Sequence, residues 1–242
     1  MPAIETRQLT KKYKEVTAVD RLDLTVEEGE LFGLLGVNGA GKTTTVKMLS
    51  TLTRPTAGEA RILGHDLRSE AEAVKALIGV SPQETAVAPN LSVRENLELM
   101  CGVHGFSREK TRERTQAMLR ELSLTEVEKR RAGKLSGGWQ RRLSIAMALI
   151  SEPKILFLDE PTLGLDVLAR EELWDVIRDL KGRITMILTT HYMEEAETLC
   201  DRVAVMKDGH LLALDTPAAL TAQTGAENLE RAFVALVKEG RK

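Results

Sequence analysis

Leu22, Leu24 and Val26 alternate with Arg21, Asp23 and Thr25 as far as the break at Gly29. This period of two predicts a strand with one face in a core. Leu31-Phe-Gly-Leu-Leu-Gly36 then runs with hardly a polar side chain, as a strand covered on both faces does. A glycine-rich turn follows, and residues 43–49 are predicted as helix, so the N-terminal third reads as short strands separated by turns. From Ser92 the period changes. Val93, Leu97 and Met100 recur at steps of four and three, and Met118 with Leu122 repeats the pattern, which predicts a helical middle section. It ends at a second buried strand, Ile155-Leu-Phe-Leu158, after which strand signals over 184–188 and helix signals over 194–199 alternate. Such alternation predicts a parallel sheet. Leu229, Phe233, Leu236 and Val237 share one face of a closing helix, the pattern of a helix docked on its domain.

Composition narrows the class. The 242 residues carry 34 Lys plus Arg against 36 Asp plus Glu, a net charge of −2 that gives no support for a polyanionic partner, and no nucleic acid is expected. With 43% hydrophobic and 29% charged residues, the chain can build a sizeable core and is not biased toward disorder. No apolar run approaches the roughly 18 residues that a membrane span needs. The first ten residues include Glu5 and Arg7 and resemble no secretory leader, so a cytoplasmic location is expected. Cys101 and Cys200 share no metal-ligand spacing and are read as reduced thiols.

The strongest chemical signal is Gly36-Val-Asn-Gly-Ala-Gly-Lys42-Thr43, two glycines bracketing four residues and followed by Lys and Thr. It lies between a buried strand and a helix, where successive backbone N–H groups and the positive helix end converge on one point. Lys42 can reach the β and γ phosphates of a nucleotide, and the Thr43 hydroxyl can ligate Mg²⁺. A metal so placed needs an anionic partner across the sheet, and Ile155-Leu-Phe-Leu-Asp159 supplies one at a strand end. Glu160 follows at once and is positioned to polarise an attacking water as general base.

With these two motifs in place, Leu135-Ser-Gly-Gly138 just upstream of the Asp159 strand makes the chain resemble the ATP-binding subunits of ABC transporters. The resemblance runs from Ile4 to about Pro217. It implies an α/β fold: a P-loop NTPase core with a mixed sheet, an antiparallel N-terminal β subdomain and an inserted α-helical signature subdomain. Residues 1–220 would form the nucleotide-binding domain, with the helical subdomain at about 86–152, and 221–242 a C-terminal helical tail. ATP and Mg²⁺ are the implied cofactors. Tyr13 matches the aromatic on which adenine stacks. Asn38, Gly39, Ala40, Gly41, Lys42, Thr43 and Thr44 match the phosphate loop. Gln83 matches the loop glutamine that meets metal or water, Asp166 the D-loop, and His191 the switch histidine. Thr43, Gln83 and Asp159 are the implied metal ligands, and Glu160, His191 and Gln83 the implied catalytic set. His65, His104 and His210 match no motif. Two positions depart from the family's usual pattern: Val37, where proline is frequent, and Trp139, where glutamine commonly follows the second signature glycine.

In that family Ser136, Gly137 and Gly138 serve the nucleotide held by a second subunit. The resemblance therefore implies a homodimer with ATP sandwiched head to tail, and a separate transmembrane permease driven by closure and reopening. The protein would sit peripherally on the inner face of the cell membrane. His191-Tyr-Met-Glu-Glu-Ala-Glu197 and Asn228-Leu-Glu-Arg-Ala-Phe233 resemble the type-2 exporters of drugs, lipids or polysaccharides. The alternative is a non-transport ABC ATPase acting on ribosomes, DNA or cofactor assembly. Members acting on ribosomes usually pair two cassettes through a charged linker, and DNA-repair members carry a long coiled coil; this sequence has neither. A nucleotide-gated scaffold would require loss of Glu160 or His191, and both are present.

Overall fold

The computed structural model describes residues 2–239; Met1 and residues 240–242 of the expected tail lie outside the described residues. The chain opens with β1 (Pro2–Tyr13) and β2 (Val16–Glu27), then β3 (Leu31–Leu35), α1 (Lys42–Leu49), β4 (Ala57–Ile62), β5 (His65–Asp66), α2 (Ala71–Leu77) and β6 (Ile78–Ser81). Three helices follow, α3 (Val93–Val103), α4 (Arg108–Glu121) and α5 (Gly137–Leu149), before β7 (Ile155–Asp159) and α6 (Val167–Leu180). The remainder is β8 (Thr185–Thr190), α7 (Met193–Leu199), β9 (Arg202–Lys207), β10 (His210–Asp215), α8 (Pro217–Thr224) and α9 (Leu229–Glu239).

The strands form two sheets. The N-terminal one is antiparallel, in the order β2-β1-β4-β5. Here β1 and β2 run 12 residues each, longer than the short strands that the sequence pattern suggests. Register shifts between Thr6 and Leu9 and again before Lys11, with Gln8 at φ +50°, insert extra residues. Such bulges interrupt the alternation and let a long ribbon twist without ending.

The second sheet has the order β10-β9-β3-β8-β7-β6, parallel throughout except for the antiparallel edge pair β9–β10. Every residue of β3, β7 and β8 is buried, which is why β3 and the first four residues of β7 read as apolar runs, while β8 keeps three buried threonines. Side chains leave this sheet into two cores. Leu31, Leu35, Leu156 and Leu158 join α3 to α7, whereas Phe32, Leu34, Ile155 and Phe157 meet α1 and the N-terminal sheet. The expected docking face of α9 is realised: Leu229, Phe233 and Leu236 are buried, and Lys207 Nζ donates to Val237 O at 3.1 Å. Cys101 and Cys200 are buried free thiols.

The strand order matters more for chemistry than the strand lengths. Because β8 inserts between β3 and β7, the loops leaving their carboxyl ends are neighbours. These ends carry the glycine loop, His191 and Glu160, at the sheet edge where α/β folds place ligands.

Candidate active site

The glycine loop closes over the N-terminus of α1. Gly39 and Gly41 have φ +84° and +102°, a region that only glycine enters freely. A Cβ on Gly41 would lie 2.5 Å from Ala18 O, so β2 presses directly on the loop. Gly209, at the β9–β10 turn, donates its N–H to Ala40 O at 3.2 Å and clamps the other side. Lys42 folds back over the loop it follows: Nζ donates to Gly36 O at 2.7 Å and stands 3.2 Å from Glu160 Oε1.

At the end of β7 the two carboxylates part. Asp159 Oδ1 accepts from the Thr43 hydroxyl at 3.2 Å and from the Thr189 hydroxyl at 2.5 Å. Glu160 adopts φ +50°, with its N–H donated to Thr189 Oγ1 at 3.0 Å. A left-handed residue at a strand end is costly for an acid, and such strain gathers where side-chain direction matters. Here it leaves the Glu160 carboxylate between Lys42 and His191, whose Nδ1 is 2.6 Å from Oε2. Lys42, Asp159 and Glu160 are all buried. A lysine ion pair in low dielectric lowers the penalty of burying each partner.

Lys42, Thr43 and Glu160 border a cavity of about 610 Å³, which Asp159 and His191 adjoin through their bonds to Thr43 and Glu160. Its floor is residues 38–44; Tyr13, Val16, Thr17 and Ala18 form one wall, and Gln83, Glu160 and Asp208 complete the rim. The volume suits a small-molecule ligand. Tyr13 is about half-exposed, and Lys11 Nζ lies 4.9 Å from its ring centroid in a cation–π contact. Gln83 is exposed; its carbonyl accepts from Arg141 Nη2 at 2.8 Å, and Pro82 O accepts from Nη1 at 2.7 Å.

A divalent cation would meet a suitable donor set here. Thr43 Oγ1 and Asp159 Oδ1 already share one point, and the Gln83 amide shares the cavity. Among the described residues no group of three or more His, Cys, Asp or Glu is arranged so that it could hold a metal ion by itself. Few protein oxygens plus phosphate suit Mg²⁺ rather than a caged transition metal.

Four predicted residues stand apart. Ser136 begins α5 without a side-chain cap hydrogen bond and is exposed, as is Gly137. Asp166 begins α6 and accepts the Ala169 N–H at 2.9 Å. The two helix starts touch: a Cβ on Gly138 would meet Ala169 Cβ at 3.1 Å, and one on Gly137 would meet Leu165 at 3.3 Å. None of Ser136, Gly137, Gly138 or Asp166 lines the cavity that holds Lys42. Trp139 is engaged within its own chain, with the Arg142 guanidinium 4.9 Å over its ring and Arg142 paired to Glu172.

Sequence reasoning missed Thr189, Arg141 and Asp208. Thr189 bonds both Asp159 and Glu160, and its only signal was a polar pair closing an apolar run before His191. Arg141 is buried, and its roles in fixing the Gln83 loop carry no mark in the local sequence. Burial lowers its pKa, with Asp159 and Glu195 opposing.

A parallel sheet whose central strand opens into a glycine loop, lysine and helix, beside a carboxylate strand end, defines a P-loop nucleotide-binding protein. Residues 19–163 match the family model described as ABC transporter, and the chain belongs to that family as an ATP-binding ATPase. Over 94% of its length it is 43% identical to 72% of the daunorubicin resistance ATP-binding protein DrrA3 of Streptomyces coeruleorubidus. It is likewise 43% identical, over 94% of its length and 76% of the relative, to the Nod factor export ATP-binding protein I of Paraburkholderia xenovorans strain LB400. Among solved structures it resembles an ATP-binding cassette captured as a post-hydrolysis dimer with ADP and Pi, at TM-score 0.78 and 27% identity, covering 88% of this chain and 98% of that one.

Proposed function

We propose that this chain is the energising subunit of an exporter of the drug or polysaccharide type, working as a homodimer on a separate transmembrane permease. The similarity to proteins named for daunorubicin resistance and Nod factor export supports the direction of transport. No helix among the described residues is long and apolar enough to cross a membrane. The location that follows is peripheral, at the inner face of the cell membrane. Residues 1–220 act as the nucleotide-binding domain, with 86–152 as its helical subdomain and 221–242 as a tail.

Adenine stacks on Tyr13, and the triphosphate lies along residues 38–44, where N–H groups and the α1 terminus meet its charge. Lys42 Nζ exchanges the Gly36 carbonyl for phosphate oxygens. Thr43, Asp159 and Gln83 would hold Mg²⁺, which would supply charge neutralisation for the β and γ phosphates. Glu160 takes a proton from the attacking water on a carboxylate oxygen, and His191, bonded to Glu160 through Nδ1, presents its other nitrogen to the γ-phosphate. Ser136, Gly137, Gly138 and Asp166 complete the partner's site rather than their own. The helical segment beside the Gln83 loop passes closure to the permease.

The observation that carries this reading is the Glu160 carboxylate held between Lys42 and His191, with the exposed start of α5 outside the same cavity. Glu160→Gln is expected to lower hydrolysis by about a hundredfold or more while retaining ATP, so that light scattering finds ATP-dependent dimers. Hydrolysis at the parental rate would remove Glu160 from the mechanism.

A further inference from the structure

Beneath the Glu160–His191 pair lies a carboxyl that the mechanism above does not use. Glu195, on α7, is 0% exposed. Its Oε1 accepts from Trp174 Nε1 on α6 at 3.1 Å. The hydroxyls of Thr190 and Thr162 lie near enough to influence it, yet Glu195 Oε2 and Thr162 Oγ1 are not aligned with any partner. Among the described residues the buried side-chain polar atoms in this condition are these two and Arg170 Nε, whose guanidinium stands 5.3 Å over the Trp174 ring. Buried unsatisfied groups are rare in folded proteins, and their concentration at one spot calls for a reason.

Connectivity supplies one. Thr162 is two residues beyond Glu160. Thr190 is one residue before His191, and its Oγ1 accepts the Tyr192 N–H at 2.9 Å, which braces the turn carrying the histidine from both sides. The Glu195 carboxyl therefore lies against the hydroxyls of two residues that flank the reacting pair, and Trp174 ties it to the helix that Asp166 begins.

We propose that Glu195 is a positioning residue for hydrolysis: its carboxyl bridges α6, the loop after Glu160 and the turn before His191, and so holds the Glu160–His191 pair in register. The inference rests on the hydrolytic roles proposed above for those two residues. As an acid, the group offers one oxygen to Trp174 and an O–H to Thr162 Oγ1, satisfying both orphaned oxygens with a small rotation. As a carboxylate it accepts from the Thr162 hydroxyl instead, so either form bridges the same elements; burial and Glu160 disfavour the ionised form, and Arg141 interacts with it. A glutamine in its place keeps the same pattern, carbonyl to Trp174 and N–H to Thr162, whereas leucine keeps neither.

The test compares steady-state ATP hydrolysis, nucleotide titration and thermal melting for Glu195→Leu, Glu195→Gln, Trp174→Phe and Glu160→Gln in the full chain. Glu195→Leu is expected to lower kcat roughly ten- to a hundredfold, the effect of misplacing reacting groups, with ATP affinity within about twofold of the parent. Glu195→Gln should restore kcat to within about threefold, and Trp174→Phe should lower kcat severalfold at unchanged affinity. A parental kcat in Glu195→Leu overturns the proposal. So does a loss in kcat matched by equal losses in affinity and melting temperature, which is a general structural defect, or a folded Glu195→Gln as slow as the leucine variant. Should Glu195→Leu fail to fold, the other two decide: the proposal stands with a slow Trp174→Phe and an active Glu195→Gln, and falls otherwise. Glu160→Gln separates the layers, since parental hydrolysis there refutes the reading of the site itself, while its loss beside an unaffected Glu195→Leu refutes only this inference.

Discussion

Gly41→Ala and Gly39→Ala make the same chemical change two residues apart in the phosphate loop, and the structure assigns them different consequences. Both glycines have positive φ, +102° and +84°, so alanine at either position carries a strain of about 1–3 kcal/mol. At Gly39 nothing lies within 4 Å of the added methyl group. At Gly41 the methyl carbon falls 2.5 Å from Ala18 O and 3.3 Å from Val19 Cγ2. The oxygen belongs to strand backbone and cannot swing aside, so the loop must move, and such overpacking adds about 1–3 kcal/mol. The strain appears either as lost stability, if the loop keeps its shape, or as lost affinity, if it relaxes and must be restored by the ligand. The losses in the two quantities therefore add up. Gly41→Ala should exceed Gly39→Ala in that sum by about 1–3 kcal/mol, equivalent to roughly 5- to 150-fold in Kd. If borne by stability instead, the excess lowers Tm by about 2–4 °C per kcal/mol for a chain of this size. Calorimetric ATP titration and thermal melting of both variants measure it. Equal sums for the two variants, or an unperturbed Gly41→Ala, would refute the claim that the loop is clamped against β2.

Two further outcomes follow from the same geometry. Ser136→Arg, in a Glu160→Gln background, is expected to leave ATP binding by the single chain within about twofold while abolishing the ATP-dependent dimer by light scattering, because Ser136 borders no part of its own cavity; an intact dimer would remove the signature from the seam. Burial pushes the Glu195 carboxyl above its ordinary value of 4.5, with Glu160 adding to the shift and Thr190, Thr162 and Trp174 opposing it. The native state then holds a proton that the unfolded chain releases, so stability falls as pH rises above about 4.5 and stops falling past the raised value. Glu195→Gln removes that penalty: its Tm advantage over the parent should be absent below pH 4.5 and grow as the pH rises above it, levelling off once the raised value is passed. A difference independent of pH would show that the shift is absent.

Much of the site was legible because its chemistry is local. The phosphate loop needs glycine, lysine and threonine at fixed spacing, since one turn of backbone must face one phosphate chain. The Asp159-Glu160 pair was visible as acids ending an apolar run. Thr189 and Arg141 were not, since each acts on groups distant in sequence: Thr189 on Asp159 and Glu160, Arg141 on the Pro82 and Gln83 carbonyls. The lengths of β1 and β2 were also hidden, as register shifts between Thr6 and Leu9 and between Leu9 and Lys11 break the period by which a strand is recognised.

By itself, the sequence determined the elements and the residue types of the phosphate site, because hydrophobic period and turn chemistry are properties of adjacent residues. Only the tertiary structure decided that β8 lies between β3 and β7, which brings Lys42, Glu160 and His191 within 3.2 Å contacts while leaving Ser136 facing outward. Strand order is set by how two layers of helices and a second sheet cover both faces of the central one, a condition on the whole chain that no local window contains.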